Sequence, residues 1–319
     1  MAEGQKLIVA HAPFWHSGNR VTDRSRQIFI AALPAALFGV IQYGAPGLWV
    51  LALSTASAVL WELGFTRLAK QPDTIGDGQA AVIGLLLGMM LPATFPWWAV
   101  LTGTFLAVVV ARQIYGGIGA NPFNPVAVAV GILTLSWKRL MDFDAALAGF
   151  PFDFPAFDLL TAAKAFGAAA VADTDLLDLL IGRQIGGVGC TFGLGLIAGG
   201  AYLILRGVIR WEIALSFIAG LVLTAALFQL VNPGKYAPAG FHLLTGYSLI
   251  GAFFLATEDS SSPVNFVPML IYGALGGVIT VTIRSIGAFP DGVVFAILVI
   301  NLIQPLLDKI RPRALGKVA

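Results

Sequence analysis

Ten stretches of mostly apolar residues follow one another along this chain, at roughly 28–45, 48–65, 79–91, 97–114, 125–139, 191–209, 213–231, 240–256, 267–284 and 290–307. A helix crosses the hydrocarbon core of a bilayer with about 20 apolar residues, or with fewer where the element is broken. In lipid every backbone N–H and C=O needs a partner within the protein, which leaves the helix as the form such stretches take. The expected fold class is therefore all-α integral membrane, with about ten transmembrane helices. Composition agrees, since 58% of residues are hydrophobic and only 11% charged, against roughly a quarter charged in a soluble domain. A water-soluble protein is excluded and the lipid bilayer is the expected surrounding. A net charge of +2 with no basic run among aromatics also excludes nucleic acid as a partner.

Orientation follows from lysine and arginine, which favour cytoplasmic loops. Residues 1–27 are mixed and polar, with no small-residue cleavage site behind the first apolar stretch, and read as a retained cytoplasmic arm. Placing that arm inside puts 13 of the 19 basic residues on the cytoplasmic side and 6 outside. The basic tail, residues 309–319, then also lies inside, so an even number of spans and two cytoplasmic termini are expected. Trp49, Trp61, Trp97, Trp98, Trp137 and Trp211 fall at proposed span ends, where aromatic rings meet the headgroups.

One long connection, residues 140–190, is rich in aspartate and falls on the outer side. It separates five spans (28–139) from five more (191–308), and an odd number per half turns the second half upside down, giving two inverted five-helix repeats. The third element of each half is unusual. The first, residues 79–91, is short and stopped by Pro92; the second, residues 241–257, carries Gly246 and Gly251. Short or glycine-interrupted segments at matched positions point to a central site, although glycines also simply let helices pack closely.

Cysteine and histidine usage narrows the chemistry. Cys190 is the single cysteine, so the chain forms no internal disulfide and cannot by itself ligate an iron–sulfur cluster, which takes about four thiolates. It reads as a small buried residue. Of three histidines only His242 lies near membrane depth, which excludes a bis-histidine haem. No residue is singled out as catalytic or metal-binding. If the chain moves electrons, the expected carrier is organic.

The loop that ends in residues 121–125 is the most informative one. Gly116, Gly117 and Gly119 leave backbone open to a flat ligand. Asn121 and Asn124 add amide donors and acceptors of the kind an isoalloxazine edge needs. From chemistry alone the same residues also read as a tight turn capped by asparagines and ended by prolines. Glu62, Asp77, Glu258, Asp259 and Asp291 stand at proposed span ends. They are either ion contacts or, more plainly, caps and loop charges in solvated positions. The glycines of residues 182–195 can expose N–H groups to an anion ahead of the sixth span.

Four segments carry a resemblance: DGQAAVIGLLLGMMLPATFPWW (residues 77–98), QIYGGIGANPFNPVAV (113–128), HLLTGYSLIGAFFLATEDSSSP (242–263) and IRSIGAFPDGVVFAILVINLIQPLLD (283–308). In this order they resemble the D subunit of Rnf-type complexes, with the B subunit of the Na⁺-translocating NADH:quinone reductase more distantly similar. The resemblance implies a membrane subunit that passes electrons through bound flavin, while the complex couples ferredoxin and NAD chemistry to Na⁺ or H⁺ movement. It implies the other Rnf-type subunits (A, B, C, E and G) as partners and the cell inner membrane as the location. It further implies a non-covalent riboflavin near Asn121, Asn124 and Gly117 on the cytoplasmic side. Such D subunits also commonly carry FMN as a phosphoester on a threonine of an outer-side motif. The aligned stretch here runs Asp158, Thr161, Ala163, Lys164, with Lys164 where the threonine would stand. An amine cannot form that ester, so any outer flavin is expected to be held non-covalently, with Lys164 as a phosphate partner and Thr161 nearby. The competing class is a solute or ion channel without a redox cofactor, since inverted five-helix repeats also build pores.

Overall fold

An apolar run offers its backbone carbonyls and amides little besides one another, and each proposed span closes into helix accordingly. The computed structural model describes residues 20–70, 75–154 and 156–311. The first half comprises α1 (Val21–Tyr43), α2 (Ala45–Leu68), α3 (Gln79–Met90), α4 (Trp97–Phe105) and α5 (Pro125–Ser136). Three short helices follow, α6 (Phe143–Leu147), α7 (Leu159–Phe166) and α8 (Leu176–Ile181). The second half comprises α9 (Gly193–Leu205), α10 (Trp211–Val231), a broken element made of α11 (Ala239–Leu244) and α12 (Ser248–Ile250), then α13 (Phe266–Ser285) and α14 (Val293–Leu307). Among the described residues there is no strand. α4 and α12 each run on into a turn of wider π helix, at Leu106–Val110 and Gly251–Leu255.

The protein is thus an all-helical, multi-span membrane protein. Among the described residues five helices, counting α4 with its continuation to Tyr115, are long and apolar enough to cross a bilayer. α3, α5, α9 and α14 are shorter apolar helices. α1 starts before the expected span, taking Arg24 and Arg26 into its early turns; residues 1–19 of the arm and 312–319 of the tail lie outside the described residues. Trp61 sits within α2 rather than at its end, donating from Nε1 to Leu101 O at 3.1 Å.

Chain direction sorts the ends into two faces. α1, α3 and α5 begin on one of them, the near face, where α9 and the α12 element end. On the opposite, far face α5 ends and α9, α11 and α14 begin. Across the two halves α1 packs on α9, and α5 on α14.

The third elements are unlike their neighbours. Gly78 (φ +74°) opens α3 and Gly246 (φ +63°) separates α11 from α12. Both occupy left-handed backbone, which a side chain would strain. α3 is only about 18 Å long at 1.5 Å per residue, so its C-terminal carbonyls end inside the bundle and need donors. The end of the 140–190 connection supplies them by reaching into the bundle. Residues 186–190 are buried. Val188 N donates to Leu91 O at 3.0 Å, Gly189 N to Met89 O at 2.9 Å, and Cys190 Sγ to Met89 O at 3.2 Å. These amides are engaged with helix carbonyls rather than presented to an anion. Gly39 of α1 admits the loop, since a Cβ there would stand 1.7 Å from Val188 O.

Candidate functional site

Two cavities lie against the third elements, one at each face. The near-face cavity, of about 260 Å³, is bounded by the starts of α1, α3 and α5 and by the end of the α12 element. Asn121, Asn124, Ile118, Gly119 and Arg112 line it together with Phe253, Phe254 and Glu258. The fold therefore brings both asparagines singled out in the sequence to one wall. Gly117 is not among the lining residues; at φ +86° it turns the chain, donating its N–H to Arg112 O at 3.2 Å.

The two asparagines differ in employment. Asn124 is the N-cap of α5, its Oδ1 accepting from Ala127 N at 3.0 Å, the position such a cap serves. Its Nδ2 donates to Leu255 O at 2.9 Å, and its own N–H donates to Asn301 Oδ1 at 2.9 Å. Asn301 of α14 donates in turn to Ser261 O and Tyr272 Oη. Asn124 thereby fastens α5 to the second half. Asn121 donates from Nδ2 to Phe123 O (3.1 Å) and Glu258 Oε1 (3.2 Å), while its Oδ1 accepts from none of the described residues.

Arg112, at the near-face end of the fourth span, is 1% exposed. Nη1 donates to Glu62 Oε1 at 3.2 Å and Nη2 reaches Asp77 Oδ2 at 3.5 Å. Gln113 Nε2 also donates to Glu62 Oε1, at 3.0 Å, and Asp77 Oδ1 accepts from Gln79 N at 2.7 Å at the start of α3. Glu62 is fully buried, so the expectation of a solvated interfacial carboxylate is corrected for it. The guanidinium at the end of the fourth span neutralises it in place. Asp259 is different, being paired with Arg24 at an exposed position.

The far-face cavity is larger, about 420 Å³, and carries Asp158, Thr161 and Lys164 with Lys138, Gln184, Cys190, Gly246, Tyr247 and Asp291. Asp158 caps α7 through Leu160 N (3.1 Å) and accepts from Thr161 Oγ1 at 2.5 Å. Lys164 Nζ donates to Phe289 O at 2.6 Å and Ile283 O at 3.3 Å. Its ammonium holds α7 against the end of α13 and the approach to α14, and desolvation there lowers its pKa. On the same face Arg284, at the end of the fourth span of the second half, is buried. It donates to Asp291 Oδ1 at 3.0 Å and to the carbonyls of His242 (2.6 Å) and Thr245 (3.2 Å) that end α11. Asp291 Oδ2 accepts from Tyr247 N at 2.7 Å.

Two buried arginines at matching ends of the two halves, each beside a cavity, invite comparison with known proteins. Residues 8–316 match the NQR2, RnfD, RnfE family. The chain belongs to that family.

Its relatives include three proteins, each named as the D subunit of an ion-translocating oxidoreductase complex. That of Pectobacterium carotovorum is 32% identical over 345 residues, covering 97% of this chain and 98% of the relative. That of Halorhodospira halophila is 35% identical over 323 residues, covering 92% and 90%. That of Yersinia enterocolitica is 33% identical over 347 residues, covering 97% and 98%. Membership in the NQR2, RnfD, RnfE family thus extends over both halves and both cavities.

Within this family member, sequence reasoning misses Arg112, Arg284, Asn301 and Tyr247. In one dimension the two arginines read as loop charges, and removing one from each side still leaves the basic asymmetry. The available signal is their place: each ends the fourth span of its half, where a charge inside an apolar run calls for a partner.

Asp158 gives a pH test. Burial, opposed by the Thr161 hydrogen bond and reinforced by Asp144 and Asp291, pushes its carboxyl up to about 6. An unfolded aspartate titrates near 3.9. Between those values the folded form holds a proton that the unfolded form has lost. The contribution of Asp158 to stability therefore falls as pH rises through this window, and the penalty is complete above it. Asp158→Asn keeps an oxygen for the Leu160 amide, offers Thr161 Oγ1 a donor and removes the charge. Thermal melts in detergent are expected to show the variant gaining on the parent at about pH 8 and losing that gain near pH 4.

Proposed function

We propose that the chain is an electron-transfer subunit of an ion-translocating oxidoreductase complex in the cytoplasmic membrane, with a non-covalent flavin in the near-face cavity and a second redox site in the far-face cavity. The near face is cytoplasmic in this reading, both termini lie inside, and the partners are the other Rnf-type subunits. Electron flow between ferredoxin and NAD would be coupled by the complex to Na⁺ or H⁺ translocation.

The observation that carries the proposal is the pairing of the cavities along shared helices. α5 borders the near-face cavity at Val126 and the far-face cavity at Thr134, about 12 Å along the axis at 1.5 Å per residue. The α12 element borders the far-face cavity at Tyr247 and the near-face one at Phe253. Between these ends stand Val130, Ile250 and Ala252, all with no exposed surface. A short, dry, apolar partition suits transfer of an electron better than passage of a hydrated solute, which favours the redox reading over a channel.

The residues of the near-face cavity fit a flat heteroaromatic ligand. Phe253 and Phe254 offer apolar faces and Asn121 Oδ1 an acceptor that no described residue occupies, with the Arg112 side chain in the same wall. A flavin held there would supply the reversible electron-accepting ring. The far-face residues do not fit an esterified flavin, because Lys164 occupies the position of the acceptor hydroxyl.

Denaturing the purified complex, and separately the isolated chain, then filtering away protein tests the proposal. Yellow, fluorescent flavin is expected in both filtrates. A colourless chain with a colourless filtrate would favour the channel.

A further inference from the structure

We infer that the near-face ends of α1, α9 and α10 form a site for an anionic phospholipid, whose phosphate is held by Arg26, Arg206 and Arg210. The inference stands apart from any cofactor reading and concerns the lipid-facing surface where the two halves meet.

α1 and α9 run side by side in close contact, since a Cβ at Gly199 would stand 2.2 Å from Ala31 O. Each turns an apolar stripe outward at helical spacing. On α1 the stripe is Ile30, Pro34, Leu37 and Ile41; on α9 it is Leu194, Ala198, Ala201 and Leu205, all exposed. Both stripes end at the near face in an exposed arginine, Arg26 one turn before Ile30 and Arg206 next to Leu205. Arg210 follows as the N-cap residue of α10, a helix that begins without a side-chain cap and so has first-turn amides to offer an anion. Exposed Tyr202 and Trp211 lie one turn before Arg206 and directly after Arg210, where aromatic rings mark the headgroup level.

These positive charges are not neutralised within the described residues. Arg206 Nε reaches Gln27 Oε1 at 3.4 Å, and neither Arg26 nor Arg210 forms an ion pair there. The neighbouring acids are engaged elsewhere: Asp23 accepts from Arg20 N, Asp259 pairs with Arg24, and Glu212 has Oε2 buried. The charge of Arg210 is also felt at Asp259, which places it on the same patch as Arg24. At the far-face end of the seam Gln42 meets Gly182 O, and the adjacent Arg183 is paired with Asp178, so the surplus of cations belongs to the near face. A phosphodiester takes paired hydrogen bonds from guanidinium groups, while its acyl chains continue along the two stripes. A zwitterionic headgroup would bring an ammonium to the arginines, and a free phosphate would leave the stripes unmatched.

The test places the full chain, alone and in its purified complex, in phosphatidylcholine bilayers with a minor share of phosphatidylglycerol. The protein is then returned to detergent, and the lipid it retains is counted by native mass spectrometry. Phosphatidylglycerol is expected to stay bound in preference to phosphatidylcholine in both preparations. An arginine near an anionic headgroup is worth about fivefold in binding. Each of Arg26→Gln, Arg206→Gln and Arg210→Gln is expected to lower retention by about that factor, and the triple variant by on the order of a hundredfold. Arg67→Gln with Arg139→Gln and Lys235→Gln removes as much charge elsewhere and is expected to retain the lipid. Equal losses in the two triple variants, or no preference over phosphatidylcholine, would overturn the inference. Displacement of the lipid by inorganic phosphate would also overturn it, by showing that the anion alone is recognised. Retention by the chain alone but not by the complex would assign the patch to another subunit and likewise overturn it.

Discussion

Arg284→Met is expected to lower stability by about 3–5 kcal/mol, the range for removing one partner of a buried charge pair. Asp291 would keep its charge beside the far-face cavity, and the carbonyls of His242 and Thr245 would be left with Ser248 Oγ as the one donor they share. The break between α11 and α12 is held by this guanidinium together with Ser248 Oγ, which reaches the same carbonyls at 2.7 and 3.1 Å, while Gly246 permits the turn. The melting temperature of the purified protein in detergent is the measurement. Adding Asp291→Asn should recover part of the loss, by removing the stranded charge while keeping an oxygen for the Tyr247 and Val293 amides. A drop below about 1 kcal/mol would mean the carbonyls find water instead.

No flavin is expected to remain attached to this chain after denaturing electrophoresis. The resemblance places a phosphoester-bearing threonine at position 164, and the residue there is a lysine. Its ammonium is held by Phe289 O and Ile283 O, so it both lacks the hydroxyl and serves as a brace. Thr161 offers a hydroxyl on the same helix, with its proton directed to Asp158. Gel fluorescence is expected to be dark at the mass of this chain in the parent and in Thr161→Ala alike. A fluorescent band at that mass would refute the first expectation, and its disappearance in Thr161→Ala would identify the acceptor.

The two outcomes concern residues of unequal legibility. Lys164 is readable because a motif puts a specific atom at a specific place, and a substitution at that place is visible in one dimension. Arg284 is not. As a lone cation between Ile283 and Ser285 it is indistinguishable from a loop charge until α13 is laid beside α11. The same holds for Glu62, fifty residues before Arg112, whose burial is tolerated only because the second and fourth spans bring the pair together. Asn124 illustrates an intermediate case. Its turn-forming role is legible from the flanking prolines, and its tie to Asn301 and Leu255 is not.

Consecutive residues are enough to establish that this protein is helical and membrane-embedded, where its spans lie, and which loops are chemically unusual. Those properties depend on local apolar length and on backbone groups that must be satisfied within each segment, and both are written in consecutive residues. Which polar groups meet depends on the packing of the folded bundle. It set residues 186–190 into the bundle to cap the short helix α3, and it brought Arg112 to Glu62 and Asn121 to Glu258. The physical reason is that a buried polar group is stable only beside a partner, and here those partners stand tens to more than a hundred residues away.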